Sequence, residues 1–198
     1  HESLEQLGHA LMRKGIPAFA SRLSWPDIEE LRNTILSFWY DVMPDSTHLL
    51  FVDSDMRFPP EVVLDMIAFS EPVVGAMYRK RSMELDWAAS AIADPESRPG
   101  FLELEGIGTG VFLIRRDAVT KMIEHFPELI YPGVTLSNMR DAGLTRTLGF
   151  FDQMRTSTQI VLRKAEVMVD VRRHFIDNSI GMVANKNPTE GIHHAIAA

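Results

Sequence analysis

Cysteine is absent from this chain of 198 residues, which excludes disulfide bonds and metal sites built on thiolates. No apolar run approaches the roughly 18 residues that a membrane-spanning helix needs, and no signal-peptide pattern opens the chain. Basic residues are outnumbered, and a formal net charge of −7 argues against a general nucleic-acid binder. These absences predict a cytoplasmic protein without a transmembrane segment.

The composition that is present is ordinary for a globular protein. Apolar residues make up 45% of the chain and charged residues 24%, and no internal repeat or low-complexity tract interrupts it. A chain of 198 residues is long enough to build one domain with a full core. We therefore expect a single domain over residues 1–198, with little order after about residue 181.

Helical and strand patterns alternate along the chain. Apolar residues at helical spacing predict helices near 2–14, 25–38, 60–67 and 116–123. Short apolar runs predict strands near 16–21, 49–52, 72–77, 110–114 and 167–171, whereas 82–100 and 127–159 look irregular. Alternation of this kind predicts an α/β fold with a mainly parallel central sheet.

The most informative motif is a pair of aspartates, Asp53 and Asp55, directly after the apolar strand near 49–52. A strand that ends in carboxylates delivers them to the carboxyl edge of the sheet, where open α/β folds bind their ligands. Mg²⁺ and Mn²⁺ prefer oxygen ligands, and Mg²⁺ often takes one or two carboxylates together with substrate phosphates. The alternative interpretation is that both aspartates only cap and solubilise a turn into the next helix.

Three other features have a functional and a structural interpretation. Arg32 and Asn33 lie on an amphipathic helix and could face a ligand or only solvent. The basic cluster Arg79–Arg81 follows a strand, and it could neutralise a diphosphate or form a solvated turn. The glycines within Gly106–Gly110 allow close backbone approach, but their spacing is not that of a dinucleotide fingerprint.

Four segments resemble, in order and spacing, the GT-A-fold glycosyltransferases that use nucleotide-activated sugars. The resemblance is closest to the family-2-like bacterial, phage and algal-virus enzymes, and it covers about residues 2–125. The four segments are Leu31–Asn33, Leu50–Glu61, Pro72–Arg81 and Glu103–Arg116. The resemblance implies a GT-A-like sandwich, so we also expect that a first core strand, which normally opens such folds, is missing from this chain.

The resemblance also implies a donor site for a nucleoside diphosphate sugar, linked to UDP or GDP, and a Mn²⁺ or Mg²⁺ ion. Asp55 would bind the metal, and Asp53 would face the ribose or a metal-bound water. A third metal ligand would be His174 or Asp177. The residues expected around the nucleotide and the donor sugar are Arg32, Asn33, Lys80, Arg81 and Gly108.

The match weakens after Gly149–Asp152. Related enzymes continue with an acidic Glu-Asp pair that supplies the catalytic base of inverting members, but Gln153–Glu166 contains no such pair. Either a loop is absent from this sequence or the catalytic carboxylate is replaced, and Asp152 is then the candidate base or acceptor-binding group.

The sequence thus predicts a metal-dependent glycosyltransferase that moves a sugar to the hydroxyl of an unidentified acceptor. One alternative is a GT-A-like protein that binds the nucleotide or nucleotide sugar without turnover. Another is a nucleotidyltransferase, although that class needs a stronger glycine-rich triphosphate loop near the N-terminus.

Overall fold

Helices and strands alternate through the first half of the chain in a computed structural model, which describes residues 2–79, 87–92, 95, 97–152 and 179–184. The helices are α1 (Glu2–Arg13), α2 (Ile28–Val42), α3 (Pro60–Phe69), α4 (Arg116–His125) and α5 (Ser137–Asp141), with a 3-10 turn at Pro127–Leu129. The strands are β1 (Ala18–Arg22), β2 (His48–Asp53), β3 (Val73–Gly75), β4 (Ala89–Ala91), β5 (Ser97–Arg98), β6 (Phe101–Leu102), β7 (Leu104–Ile107), β8 (Val111–Arg115), β9 (Ile130–Pro132), β10 (Arg146–Leu148) and β11 (Ser179–Ala184). The predicted strand near 167–171 lies outside the described residues.

The main sheet has five strands in the order β1-β11-β2-β8-β3. Every neighbouring pair in it is antiparallel, with Phe51 of β2 opposite Phe112 of β8 and opposite Gly181 of β11. The chain is therefore a mixed α/β protein whose described sheet is antiparallel.

This arrangement differs from the mainly parallel sheet that the sequence predicts. Strand β11 lies between β1 and β2, and β8 lies between β2 and β3. Because each of these two strands is antiparallel to both of its neighbours, β1, β2 and β3 all run in one direction. Helices α2 and α3 connect these three strands, as the alternating pattern predicts. The difference arises because β8 and β11 come from distant parts of the chain and insert between them in the opposite direction.

Strand β2 is buried along its whole length, and its side chains alternate between two apolar layers. Leu49 and Phe51 pack with residues of α2 and α4 in one cluster. Leu50 and Val52 pack with residues of α1 and α3 in the other. Two neighbouring side chains of one strand thus serve opposite faces, and the sheet lies between two helical layers.

Short antiparallel ladders lie outside the main sheet. They join β4 to β7, β5 to β6 and β9 to β10. Four of these strands, β4, β5, β9 and β10, lie in the segments that the sequence predicts to be irregular. These ladders have two or three residues per strand in most cases, too few to show a period in the sequence. The described helices include none that is both long and apolar enough to cross a membrane.

Candidate functional site

The carboxyl end of β2 meets the start of β8 and the end of β3 at one edge of the sheet. The backbone N–H of Asp53 donates to the carbonyl oxygen of Gly110 at 2.9 Å, and Ala76 N–H donates to Val111 O at 2.9 Å. This edge therefore brings the acidic motif next to the glycine segment, as the order of the strands requires.

Asp53 is buried and paired with Arg32. The Nη2 group of Arg32 donates to Asp53 Oδ1 at 3.2 Å, and the two residues are 0% and 6% exposed. A charge buried to this degree is normally tolerated only when it is paired or hydrogen-bonded. Arg32 thus lies beneath Asp53 and fixes its carboxylate; it does not lie on an open surface.

Asp55 is exposed in the turn that leaves β2. The N-cap of α3 is Pro59, where no side chain makes a capping hydrogen bond. Neither aspartate therefore occupies that cap, although capping is the structural alternative for this motif. The buried Asp53 and the exposed Asp55 have different environments although they are separated by one residue.

Asn33 connects α2 to the segment that contains Asp152. Its Nδ2 group donates to Asp152 Oδ1 at 2.6 Å, and its Oδ1 accepts from Phe151 N–H at 2.8 Å. Ser37, one turn further on, donates to Asn33 O and accepts from Leu148 N–H at 2.7 Å. Adjacent residues of α2 therefore hold Asp53 and Asp152, and the structure brings four predicted site residues together.

The glycine segment lies under a tyrosine. A Cβ atom on Gly108 would come within 2.5 Å of the Tyr78 hydroxyl, and one on Gly110 would come within 2.6 Å of Tyr78 Cε1 and 3.0 Å of Met56 Cε. The glycines are thus required by close side-chain packing, and the place beside the donor sugar that the resemblance implies for Gly108 stays a prediction. Thr109 between them is 1% exposed, and its hydroxyl has no hydrogen-bond partner within the described ranges.

The side chains in the described part of the chain do not form a complete set of metal ligands. Those residues contain no group of three His, Cys, Asp or Glu side chains that could hold an ion. Asp55 still fits an ion that arrives with substrate phosphates, because Mg²⁺ in such sites takes only one or two protein carboxylates. The other predicted contacts, Lys80, Arg81, His174 and Asp177, lie outside the described residues.

Sequence reasoning missed one residue beside Asp152. A Cβ atom on Gly149 would contact Tyr131 Cε2 and would lie 2.7 Å from Asp152 Oδ2. The ring of Tyr131 and the carboxylate of Asp152 therefore lie side by side over the Gly149 backbone. The glycine before the Phe-Phe-Asp sequence was the available clue, but it does not say which side chain approaches it.

The neighbouring residues Arg32 and Asn33 thus bond two carboxylates, Asp53 before the exposed Asp55 and Asp152 beside Tyr131. No known protein family, curated protein or solved structure matches the chain.

Proposed function

We propose that this protein is a GT-A-like glycosyltransferase, which moves a sugar from a nucleoside diphosphate sugar to an acceptor hydroxyl with the help of Mn²⁺ or Mg²⁺. The observation that carries the proposal is that neighbouring residues of α2 hold one carboxylate at the end of β2 and another after β10. A transferase for two substrates needs one group for the donor and another for the acceptor. Three strands in one direction with helices on both faces support the GT-A-like part of the proposal.

On the donor side, Asp55 would hold the metal, because it is the exposed carboxylate of the pair. Asp53, fixed by Arg32, would accept hydrogen bonds from the ribose or from a water. The bound ion would supply positive charge to the diphosphate as it leaves. The buried pair of Arg32 and Asp53 next to the exposed Asp55 suits this division of roles. The carboxylate that binds the ribose needs a fixed position.

On the acceptor side, Asp152 would act as the general base. Asn33 holds its Oδ1, so Oδ2 is the oxygen that would take the acceptor proton. As that proton moves to Oδ2, the acceptor oxygen would form a bond to the anomeric carbon. The bond from that carbon to the diphosphate oxygen would break, and its electron pair would leave with the diphosphate. This sequence of events describes an inverting reaction.

A protein that binds the donor without turnover is the second candidate. It is favoured by the absence of an acidic pair within Gln153–Glu166, directly after Asp152. Measurement of both binding and transfer separates the two candidates. Metal-dependent binding of a diphosphate without transfer or hydrolysis of its sugar would support the second.

The direct test is calorimetric titration of the full chain with UDP and GDP, with and without Mn²⁺. We expect one diphosphate to bind only in the presence of metal. Asp55→Asn removes the anionic ligand from an exposed position, so we expect affinity to fall at least about tenfold while the fold is kept.

Asp65→Asn is the matched control, because Asp65 is an exposed aspartate on α3 away from the sheet edge. It should bind the diphosphate as the wild type does. Unchanged affinity in Asp55→Asn, or equal losses in both variants, would contradict a metal role for Asp55.

A further inference from the structure

We propose that Tyr131 and Asp152 together form the acceptor subsite, and that the acceptor is a carbohydrate which packs a face of its ring on Tyr131. This inference rests on the proposed function, since it names the substrate class of the second substrate. It uses a pair of residues that the sequence pattern does not connect, because Tyr131 lies in β9 whereas Asp152 follows β10.

The position of Tyr131 is fixed by backbone pairing between β9 and β10 and by a hydrogen bond just beyond that ladder. Tyr131 lies opposite Thr147 in the ladder of β9 and β10, and Gly149 N–H donates to Leu129 O at 2.8 Å just beyond it. The ring then crosses Gly149, where any side chain would collide with it. Gly149 thus allows the ring and the Asp152 carboxylate to approach the same point.

The pair is open to solvent on its other side. Tyr131 is 40% exposed although one part of its ring lies on the protein, and Asp152 is partly exposed. The carboxylate does not rotate freely, because Asn33 donates to Oδ1 at 2.6 Å. A fixed carboxylate oxygen beside an accessible aromatic surface is therefore available to a ligand.

The chemistry of this pair suits a sugar or polyol. A pyranose has an apolar C–H face and a rim of hydroxyl groups, so it can cover an aromatic ring while its hydroxyls donate to a carboxylate. Binding sites of small molecules usually combine such apolar contact with a few fixed polar groups. The same carboxylate oxygen, Oδ2, would then both orient the acceptor hydroxyl and take its proton.

Saturation-transfer NMR on the full chain tests the subsite with defined probes. The probes are the methyl glycosides of glucose, mannose, galactose and N-acetylglucosamine, measured with Mg²⁺ and with or without UDP or GDP. We expect at least one glycoside to bind the wild type, and Tyr131→Ala to weaken that binding by about two- to tenfold. Tyr131→Phe keeps the ring and should retain the signal.

Gly149→Ala is a second variant that leaves Tyr131 in the chain. The added methyl would push the ring and the carboxylate apart, so glycoside binding should fall as it does in Tyr131→Ala. Thermal melting of each variant reports whether the fold is kept. Tyr40→Phe is the control for loss of a tyrosine hydroxyl elsewhere, since Tyr40 lies on α2 and hydrogen-bonds Thr120 at 2.9 Å.

The outcomes separate this inference from the proposed function. The subsite is overturned if no glycoside binds the wild type, or if Tyr131→Ala binds as well as the wild type. Calorimetry with UDP and GDP on the same samples reports the donor site independently. Diphosphate binding without Tyr131-dependent glycoside binding removes the subsite alone, whereas the reverse result removes the donor site and keeps a carbohydrate-binding surface.

Discussion

The middle of α2 buries polar side chains that an ordinary amphipathic helix would turn to solvent. Arg32, Asn33, Thr34 and Ser37 are all buried, and three of them make hydrogen bonds to segments far away in the sequence. Burial of polar groups is costly unless each finds a partner. Loss of any of these hydrogen bonds would therefore lower the stability of the protein. The bonds of Arg32 and Asn33 are consistent with a role of α2 in holding the carboxylates of Asp53 and Asp152.

Asn33→Ala tests that role at a single residue. The change removes both bonds of the side chain and leaves the N–H of Phe151, which is 3% exposed, without its acceptor. We expect the free energy of unfolding to fall by about 1–3 kcal/mol, measured by urea denaturation. If Asp152 is the base, sugar transfer should fall much further than the affinity for the nucleoside diphosphate.

Asn138→Ala is the matched control, because Asn138 is an exposed asparagine within α5. It should change stability by less than about 0.5 kcal/mol. A similar small change in Asn33→Ala would show that its two hydrogen bonds are easily replaced by water. In that case α2 would not hold Asp152 in place.

Residue patterns could predict the members of the candidate site but not their contacts. The apolar strand pointed to Asp53, and the resemblance to GT-A enzymes pointed to Arg32 and Asn33. The structure pairs Arg32 with Asp53 and Asn33 with Asp152. The bond from Asn33 to Asp152 spans 119 positions, and no local period encodes a contact of that separation. Gly108 shows the same limit, since a glycine indicates close approach without saying that Tyr78 is what approaches.

At the scale of elements, the C-terminus of α2 is closed by one arginine from α4. Arg116 donates to the carbonyl oxygens of Trp39, Tyr40, Met43 and Ser46 at 2.6–2.9 Å. It also lies over the ring of Trp39, with 4.4 Å between the guanidinium carbon and the ring centroid. Burial lowers the pKa of Arg116, and the nearby Tyr40, Asp41 and Asp45 oppose that effect. A cation here satisfies carbonyls at the end of the helix, where Trp39 O also accepts from Met43 N–H at 3.3 Å.

Arg116→Lys should destabilise the protein although it keeps the charge. An ammonium group has three donors on a flexible stem and cannot reproduce the planar contacts with four carbonyls and a ring. We expect a loss of about 2–4 kcal/mol in urea denaturation.

The neighbouring Arg115→Lys serves as the control for that change. Arg115 pairs with Asp117 on a more exposed surface and also donates to Ser70 O, so its replacement should cost at most about 1 kcal/mol. Equal effects at the two positions would mean that the C-terminus of α2 does not depend on Arg116.

The sequence predicts the positions of many helices and strands along the chain, but it does not predict which strands pair in the sheet. Apolar periodicity located α1 to α4 and β1, β2, β3 and β8, and the crossovers through α2 and α3 leave β1, β2 and β3 in one direction. The insertion of β8 and β11 could not be read from the sequence. A buried strand shows the same apolar run whichever way it points, so its direction is decided by the chain that connects it.

At the scale of the whole molecule, the sheet separates two apolar clusters. One lies against α2 and α4, and it includes the fully buried Val119. The other lies against α1 and α3, and it includes Val63, which is 1% exposed. Each cluster has its own helices, and only the sheet belongs to both. Side chains in the helical layers on opposite faces should therefore influence stability independently.

Val63→Ala and Val119→Ala test this independence. Each removes buried methyl groups and should lower the free energy of unfolding by about 1–3 kcal/mol, measured by urea denaturation. The double variant should lose the sum of the two single losses to within about 0.5 kcal/mol, because the two valines belong to different apolar clusters. Val119→Ala combined with Leu36→Ala is the comparison within one cluster, since Leu36 of α2 belongs to the same face, and a larger coupling is expected there. A coupling between Val63 and Val119 as large as that between Val119 and Leu36 would contradict this prediction. It would mean that the helical layers on the two faces of the sheet depend on each other for stability.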